Sequence, residues 1–255
     1  MTRTLCIANQ KGGVGKTTTA INLAAGLAKA GRRTLLVDLD PQCNATSGLG
    51  LKAATQHPFL SDEPITRLIR ATHHDGLSVV PGSQNFADAN ELAHDQGKAT
   101  EKITDLRRQT ASTDFVVVDC PPSLGTLTES ALAASTEVLM PIQCEYFAME
   151  GLTQMIEVIR RVMKRKQRGD LPDTQLEFGG VLLTMYDHTL ELTTEVEDEV
   201  REFFGEIVFQ TVIPRDVAVA EAPSFGQSVI DYAPRSRGTR AFVELCMEVL
   251  ENEQR

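Results

Sequence analysis

The sequence predicts an α/β fold: a doubly wound, mostly parallel sheet flanked by helices. Two observations carry this expectation. Runs rich in β-branched apolar residues alternate with segments of helical periodicity along the 255 residues, the order that builds parallel sheets through right-handed crossovers. Several of those runs are almost continuously apolar, as strands buried on both faces must be.

In chain order, Thr4–Ala8 reads as the first strand and Thr17–Ala30 as the first helix. Strands follow at Thr34–Asp38 and Leu77–Val80. The least regular stretch, Lys52 to Ser83, contains Pro58, Pro64 and Pro81 and reads as a surface excursion with a helix around Ile65–Ala71. Further on come a helix at Ala99–Ala111, strands at Phe115–Asp119 and Glu137–Ile142, and a helix at Gly151–Lys166. A strand at Gly180–Thr184, a helix at Leu192–Phe204, a strand at Ile207–Ile213 and a closing helix at Arg240–Glu253 complete the pattern. No internal repeat, low-complexity segment or linker divides it, so residues 1–255 are expected to form a single domain.

Composition narrows the function classes. A net charge of -10 cuts against a simple nucleic-acid binder, which needs clustered cations, although it leaves room for a local basic patch on an acidic body. No apolar run approaches the roughly 18 residues that span a bilayer, and Met1 to Gln10 is expected to be neither a signal nor a transit peptide. Cys6, Cys43, Cys120, Cys144 and Cys246 are scattered without C-x-x-C spacing, which fits reduced thiols in a cytoplasm better than disulfides or a zinc site. His73 and His74 lack partners at metal-ligand spacing and read as loop residues.

The strongest local signal is Lys11-Gly12-Gly13-Val14-Gly15-Lys16-Thr17-Thr18, placed after one strand and opening a helix. Glycines let successive backbone N–H groups turn toward phosphates, and the helix N-terminus adds partial positive charge. Lys16 is then expected against the β- and γ-phosphates of ATP, with the Thr17 hydroxyl on Mg²⁺. A ligand-free glycine turn is the bland alternative, and the strand–loop–helix order argues against it. A dinucleotide fingerprint would need glycine at position 18, where Thr18 stands. The usual phosphate-loop pattern also carries glycine at position 10; this chain has Gln10 there and an extra Lys11.

With these residues the chain resembles the ParA/MinD family of deviant Walker A ATPases, whose signature is K-G-G-x-G-K-[ST]. The likeness continues through Val37-Asp38-Leu39-Asp40-Pro41-Gln42 and Asn44-Ala45-Thr46-Ser47-Gly48-Leu49-Gly50, and through Asp119-Cys120-Pro121-Pro122-Ser123-Leu124-Gly125. It extends to Gln143-Cys144-Glu145-Tyr146-Phe147-Ala148-Met149-Glu150-Gly151-Leu152, to Gly180 through Asp187, and to Glu221-Ala222-Pro223-Ser224. These segments are similar to the chromosomal ParA (Soj) branch.

The resemblance implies a P-loop NTPase fold, Mg-dependent ATP hydrolysis, and a homodimer in which Lys11 reaches the nucleotide of the other subunit. It points Asp40 at the attacking water, places the switch residue Asp38 nearer the phosphate loop and metal, and puts Gly125 in the switch that senses the γ-phosphate. Asp119 is implied as a Mg²⁺ holder through water. Alone, a strand-end aspartate could equally be a helix cap, and Pro121-Pro122 could be plain strand termination. Pro214 and Asp216 correspond to a Pro-Arg-Asn segment that covers the adenine in relatives; here asparagine is replaced by a carboxylate that only accepts hydrogen bonds.

Partners divide the expectations. The resemblance implies a ParB-type centromere-binding partner and non-specific DNA association near the nucleoid. Yet the arginines usual for DNA contact are absent at Thr189 and Ala218, and Glu191, Glu195, Glu197, Asp198 and Glu199 add negative charge. Arg235, Arg237 and Arg240, and a basic group from Arg160 to Arg168, remain as candidates. A partition ATPase and an orphan positioning ATPase without firm DNA binding therefore both stay open. Membrane attachment is not expected, because Glu244, Glu248, Glu251 and Glu253 would face anionic lipid.

Overall fold

The computed structural model describes residues 2–94, 96–109, 112–146, 150–171 and 175–251. Ala111, Glu253 and the segment Phe147-Ala148-Met149 lie outside the described residues. Eight strands form one sheet: β1 (Arg3–Ile7), β2 (Thr34–Asp38), β3 (Arg70–Ala71), β4 (Leu77–Val80), β5 (Phe115–Asp119), β6 (Glu137–Gln143), β7 (Glu177–Tyr186) and β8 (Val208–Pro214). Their order across the sheet is β3-β4-β2-β5-β1-β6-β7-β8. Every neighbouring pair is parallel except β3–β4.

The helices are α1 (Lys16–Lys29), α2 (Asn44–Gly48), α3 (Ile65–Leu68), α4 (Phe86–His94), α5 (Gln96–Gln109) and α6 (Thr126–Ala134). After them come α7 (Glu150–Gln167), α8 (Glu191–Phe204), α9 (Val217–Glu221), α10 (Val229–Tyr232) and α11 (Arg237–Glu251). None of the helices is long and apolar enough to cross a membrane, among the described residues.

The central strands show why the sequence pattern was readable. Every residue of β2 and β5 is buried, because helices cover both faces. Val116 and Val118 face one layer, with Ile103 and Leu106 of α5, Ala131 of α6 and Met155 of α7. Phe115 and Val117 face the other, with Ile21 and Leu23 of α1 and Phe242 and Leu245 of α11. This two-residue alternation of faces is the strand period. Each fully buried Val, Leu or Phe here contributes roughly 1.5–3 kcal/mol. The closing helix packs on this core, and Glu248 accepts hydrogen bonds from the backbone N–H groups of Gln210 (2.9 Å) and Thr211 (2.7 Å). One of its acidic residues thus occupies backbone donors of the edge strand β8 that could otherwise pair with a strand from another molecule.

The structure departs from the expected elements in several places. The helix around Ile65–Ala71 stops at Leu68, and Arg70 and Ala71 pair antiparallel with Val79 and Ser78; the open edge of β4 takes up backbone partners that a longer helix would deny it. The strand expected from Gly180 starts at Glu177, where β7 pairs with Glu137 of β6. Helices α4 and α6 and the short helices α2, α9 and α10 have no counterpart among the expected elements, and the closing helix starts at Arg237 rather than Arg240. Most of α6 is buried around its circumference, so it shows no apolar stripe.

One close approach links distant segments. Gly226 has φ +68°, and a Cβ there would lie 2.7 Å from Gly50 Cα and 3.0 Å from Gly50 N. Both obstacles are backbone and cannot swing away. Gly226→Ala is expected to cost about 2–4 kcal/mol, the left-handed penalty plus overpacking, measurable as a lowered urea midpoint. An unchanged midpoint would contradict this packing.

Candidate functional site

The loop between β1 and α1 is held from both sides. Asn9 Nδ2 donates to the Pro141 carbonyl (2.7 Å), and Asn9 Oδ1 accepts from Lys11 N (3.0 Å). Thr184 Oγ1 lies 2.9 Å from the Val14 carbonyl and 3.1 Å from that of Ile142, tying the loop to the ends of β6 and β7. Sequence reasoning missed Asn9 and Thr184 as loop anchors; adjacency to the loop was the only signal for the first.

Gly13 (φ 77°) and Gly15 (φ 85°) take the left-handed conformation that the turn requires. A Cβ built on Gly12 or Gly13 would meet nothing within 4 Å, so the loop has open space beside it. Gly15 is the N-cap of α1 and supplies no side-chain partner. The first N–H groups of α1, at Lys16, Thr17 and Thr18, are therefore left for an anion.

Lys16 is only 6% exposed, and its ammonium donates to the Lys11 carbonyl at 2.9 Å. Burial lowers its pKa, and Asp119 and Asp40 oppose that shift. The Lys11 ammonium lies 3.6 Å from a Glu145 carboxylate oxygen.

Three aspartates meet at the carboxyl edge of the sheet, where open α/β folds bind ligands. Asp38 and Asp119 are register partners on β2 and β5. Asp119 is 0% exposed, and both its oxygens lack a hydrogen-bond partner among the described residues. Thr17 comes near enough to lower its pKa, but burial, followed by the charge of Asp38, holds that carboxyl well above the usual range. Asp38 is also fully buried, and burial pushes it up to about 6. Its Oδ2 accepts from Thr46 N (2.8 Å) and Thr46 Oγ1 (2.6 Å), while Oδ1 accepts from Asp40 N (3.2 Å). These bonds fix the chain that carries Asp40. Among hydrogen bonds within the described residues, the Asp40 carboxylate has one, from Gln42 N at 2.9 Å.

An orphaned buried carboxylate beside a threonine hydroxyl is a hard, all-oxygen donor set, which suits Mg²⁺. It carries a pH consequence. An acid whose folded pKa is raised stabilises the fold while protonated; for Asp38 this contribution is full below 3.8 and is lost as pH rises through about 6. A cation held by ionised carboxylates acts in the opposite sense. Mg²⁺ with nucleotide is therefore expected to raise the melting midpoint more above these pKa values than below them, and Asp119→Asn to flatten that trend. A wild-type Mg²⁺ effect that does not vary with pH would contradict it.

Next to the loop lies a cavity of about 220 Å³, lined by Gly15, Thr18, Thr184, Ile213, Pro214 and Asp216, among others. Asp216 is the N-cap of α9. Its Oδ1 accepts from Ala218 N (2.9 Å) and its Oδ2 from Gly238 N (2.8 Å), so it clamps the starts of α9 and α11 together. Arg235, Arg237 and Arg240 stand exposed at that end of α11, and their side chains have no hydrogen bond or ion pair among the described residues. In the basic group on α7, Arg161 and Arg165 are instead paired with Glu129. Gly125 caps α6 in extended conformation (φ -75°, ψ 179°) just beyond β5, at the same edge of the sheet as the loop.

Fold and site define a P-loop nucleoside-triphosphatase of the doubly wound class. A family model described as an AAA domain matches residues 2–171. The chain is 45% identical to the chromosome partitioning protein ParA of Myxococcus xanthus, over 98% of this chain and 89% of that one. It is 46% identical to the chromosome-partitioning ATPase Soj of Thermus thermophilus, over 99% and 97%. A solved structure of cobyrinic acid a,c-diamide synthase from Mycobacterium smegmatis, with a bound ATP analog and magnesium, superposes with a TM-score of 0.81 at 31% identity, covering 100% of this chain and 96% of that one. The chain belongs to the ParA/Soj family of P-loop ATPases.

Proposed function

We propose that this protein is an ATP-gated dimerising switch for partitioning a chromosome or plasmid, built as one P-loop domain over residues 1–255, with a ParB-type partner that stimulates hydrolysis. The observation that carries the ATPase reading is the buried, unpartnered Asp119 beside Lys16 at the mouth of the glycine loop. The bound ATP analog and magnesium of the M. smegmatis relative support it.

In this reading the backbone N–H groups from Gly12 to Thr18 hold the phosphates. Lys16 leaves the Lys11 carbonyl for the β- and γ-phosphates. Thr17 and, through water, Asp119 would hold Mg²⁺, whose chemistry when bound would be to offset charge on the phosphoryl group. Asp40 orients the attacking water, and the Asp38–Thr46 clamp keeps it in place. Lys11 breaks its half-exposed pair with Glu145 to reach the partner's nucleotide, where a buried triphosphate needs added positive charge. Gly125 senses the γ-phosphate from the start of α6. Pro214 covers the base, and Asp216 accepts from the exocyclic amine that adenine has and guanine lacks at that position.

The exposed Arg235, Arg237 and Arg240, without partners among the described residues, support non-specific DNA binding by the dimer, and the likeness to chromosome partitioning proteins supports a partition role. A second reading, an orphan positioning ATPase for another cargo with weak or no DNA binding, is favoured by the acidic surface of α8 and by Thr189, whose hydroxyl bonds Asp187. DNA association measured with and without ATP across a salt series separates the two. The partition reading expects ATP-dependent binding that weakens steeply with salt, by about 0.9 in log K per log salt for each phosphate contact, and that is lost in the Arg235, Arg237 and Arg240 alanine triple variant. No ATP-dependent binding would leave the orphan switch.

A further inference from the structure

A second cluster of metal-ligating side chains lies at the opposite end of α1 from the phosphate loop. It joins the turn before β4 to the short helix α10. His73 and His74 come from the turn, Asp231 from α10, and one donor atom of each lies within 4.8 Å of the others. His74 Nε2 is 2.8 Å from Asp231 Oδ2, and His73 Nε2 is 3.9 Å from the same oxygen. The two imidazole rings are 4.2 Å apart. The expectation that these histidines lack partners is thereby corrected: the third donor comes from a segment far along the chain.

We propose that His73, His74 and Asp231 form a site for a divalent zinc-class cation, which would pin α10 to the turn before β4. Three independent features support a built site. His74 is only 7% exposed and its buried Nε2 lies 2.8 Å from Asp231 Oδ2, so two of the three donors are already held together away from solvent. The turn is fixed locally, with His74 N donating to Thr72 Oγ1 (3.0 Å), Thr72 Oγ1 in reach of the Leu77 carbonyl (2.9 Å), and Gly76 in the left-handed region at φ 82°. The carboxylate is oriented as well. Lys29 pairs with Oδ1 at 2.6 Å, which leaves Oδ2 for the imidazoles, and Ser228 Oγ donates to Oδ2 at 3.0 Å. Outer partners of this kind orient first ligands in metal centres.

The chemistry selects the ion. Two imidazoles and one carboxylate suit Zn²⁺ and its borderline neighbours better than Mg²⁺ or Ca²⁺, which prefer all-oxygen shells. Donor separations of 2.8 and 3.9 Å bracket the roughly 3.3 Å expected between ligands about 2.0–2.1 Å from a tetrahedral centre. Three protein ligands leave the fourth position to water. The location separates this site from the nucleotide: α1 has 14 residues, so its two ends are about 20 Å apart. Zinc here would act on the fold near the Glu221–Ser228 segment and not on phosphate chemistry. Cysteine does not compete for the ion, since all five thiols are free but buried.

The test uses the full chain without a histidine tag, saturated with Mg-ADP so that the nucleotide site is filled. Zinc is titrated while the melting midpoint is followed, and cobalt serves as the spectroscopic probe, because a tetrahedral imidazole site gives an intense visible band and an octahedral oxygen site does not. Wild type is expected to bind one zinc, melt higher, and show the intense cobalt band. His73 has a side chain 44% exposed, so His73→Ala should fold normally and retain ADP binding, yet bind zinc at least about tenfold more weakly and lose the band. Asp231→Asn should behave alike. Wild type without the band, or a zinc response identical in wild type and His73→Ala, would overturn the site.

Discussion

Lys16→Ala is expected to weaken ATP binding by two to three orders of magnitude, about 3–4 kcal/mol. Lys16 is nearly buried and donates to the Lys11 carbonyl, so its ammonium is poised to exchange a neutral acceptor for a doubly charged phosphate. A charge-assisted bond in a site of low dielectric is the strong kind. Removing it also leaves Asp119 without its nearest compensating cation. The variant should therefore lose nucleotide affinity while its melting midpoint without nucleotide stays close to wild type, since the desolvation cost of Lys16 disappears with it. Calorimetric titration with Mg-ATP reads the affinity directly. Affinity within threefold of wild type would refute the phosphate-loop assignment.

Asp40→Ala is expected to reduce ATP turnover by about 10²–10³-fold, the range for losing a group that positions or deprotonates a reacting water, while leaving ATP affinity largely intact. Asp40 fits such a role because its carboxylate is buried to 7% exposure and has only the Gln42 N–H bond among the described residues. Asp38 differs, since Thr46 and Asp40 N occupy its oxygens. Replacing Asp38 should instead loosen the loop and lower stability and turnover together. Single-turnover kinetics and a melting curve on each variant separate the two. Normal turnover by Asp40→Ala would transfer the water-positioning role elsewhere.

Legibility followed the range of the interactions. The phosphate loop was readable because its work is done within eight consecutive residues, from Lys11 to Thr18. The central strands were readable because burial on both faces demands an apolar residue at every position of segments such as Phe115–Val118, three of the four being β-branched valines. Helix α6 was hidden for the same reason inverted: a helix covered on most sides loses its amphipathic period. Strand β3 is two residues long and exists to pair an edge, which no local propensity announces. Asp216 could be flagged only as a departure in base contact; its clamp on Gly238 is a contact between two helix starts. The His74–Asp231 pairing lay beyond sequence spacing altogether, since only the packing of α10 against α1 brings those donors together.

The switch reading rests on ATP drawing two copies together through Lys11, and solution mass tests this most directly. Asp40→Ala, which should hold ATP unhydrolysed, is expected to show twice the monomer mass by light scattering with Mg-ATP and the monomer mass with Mg-ADP. Adding Lys11→Ala to it should return the ATP form to monomer. A species of unchanged mass in ATP and ADP would contradict the ATP-gated dimer.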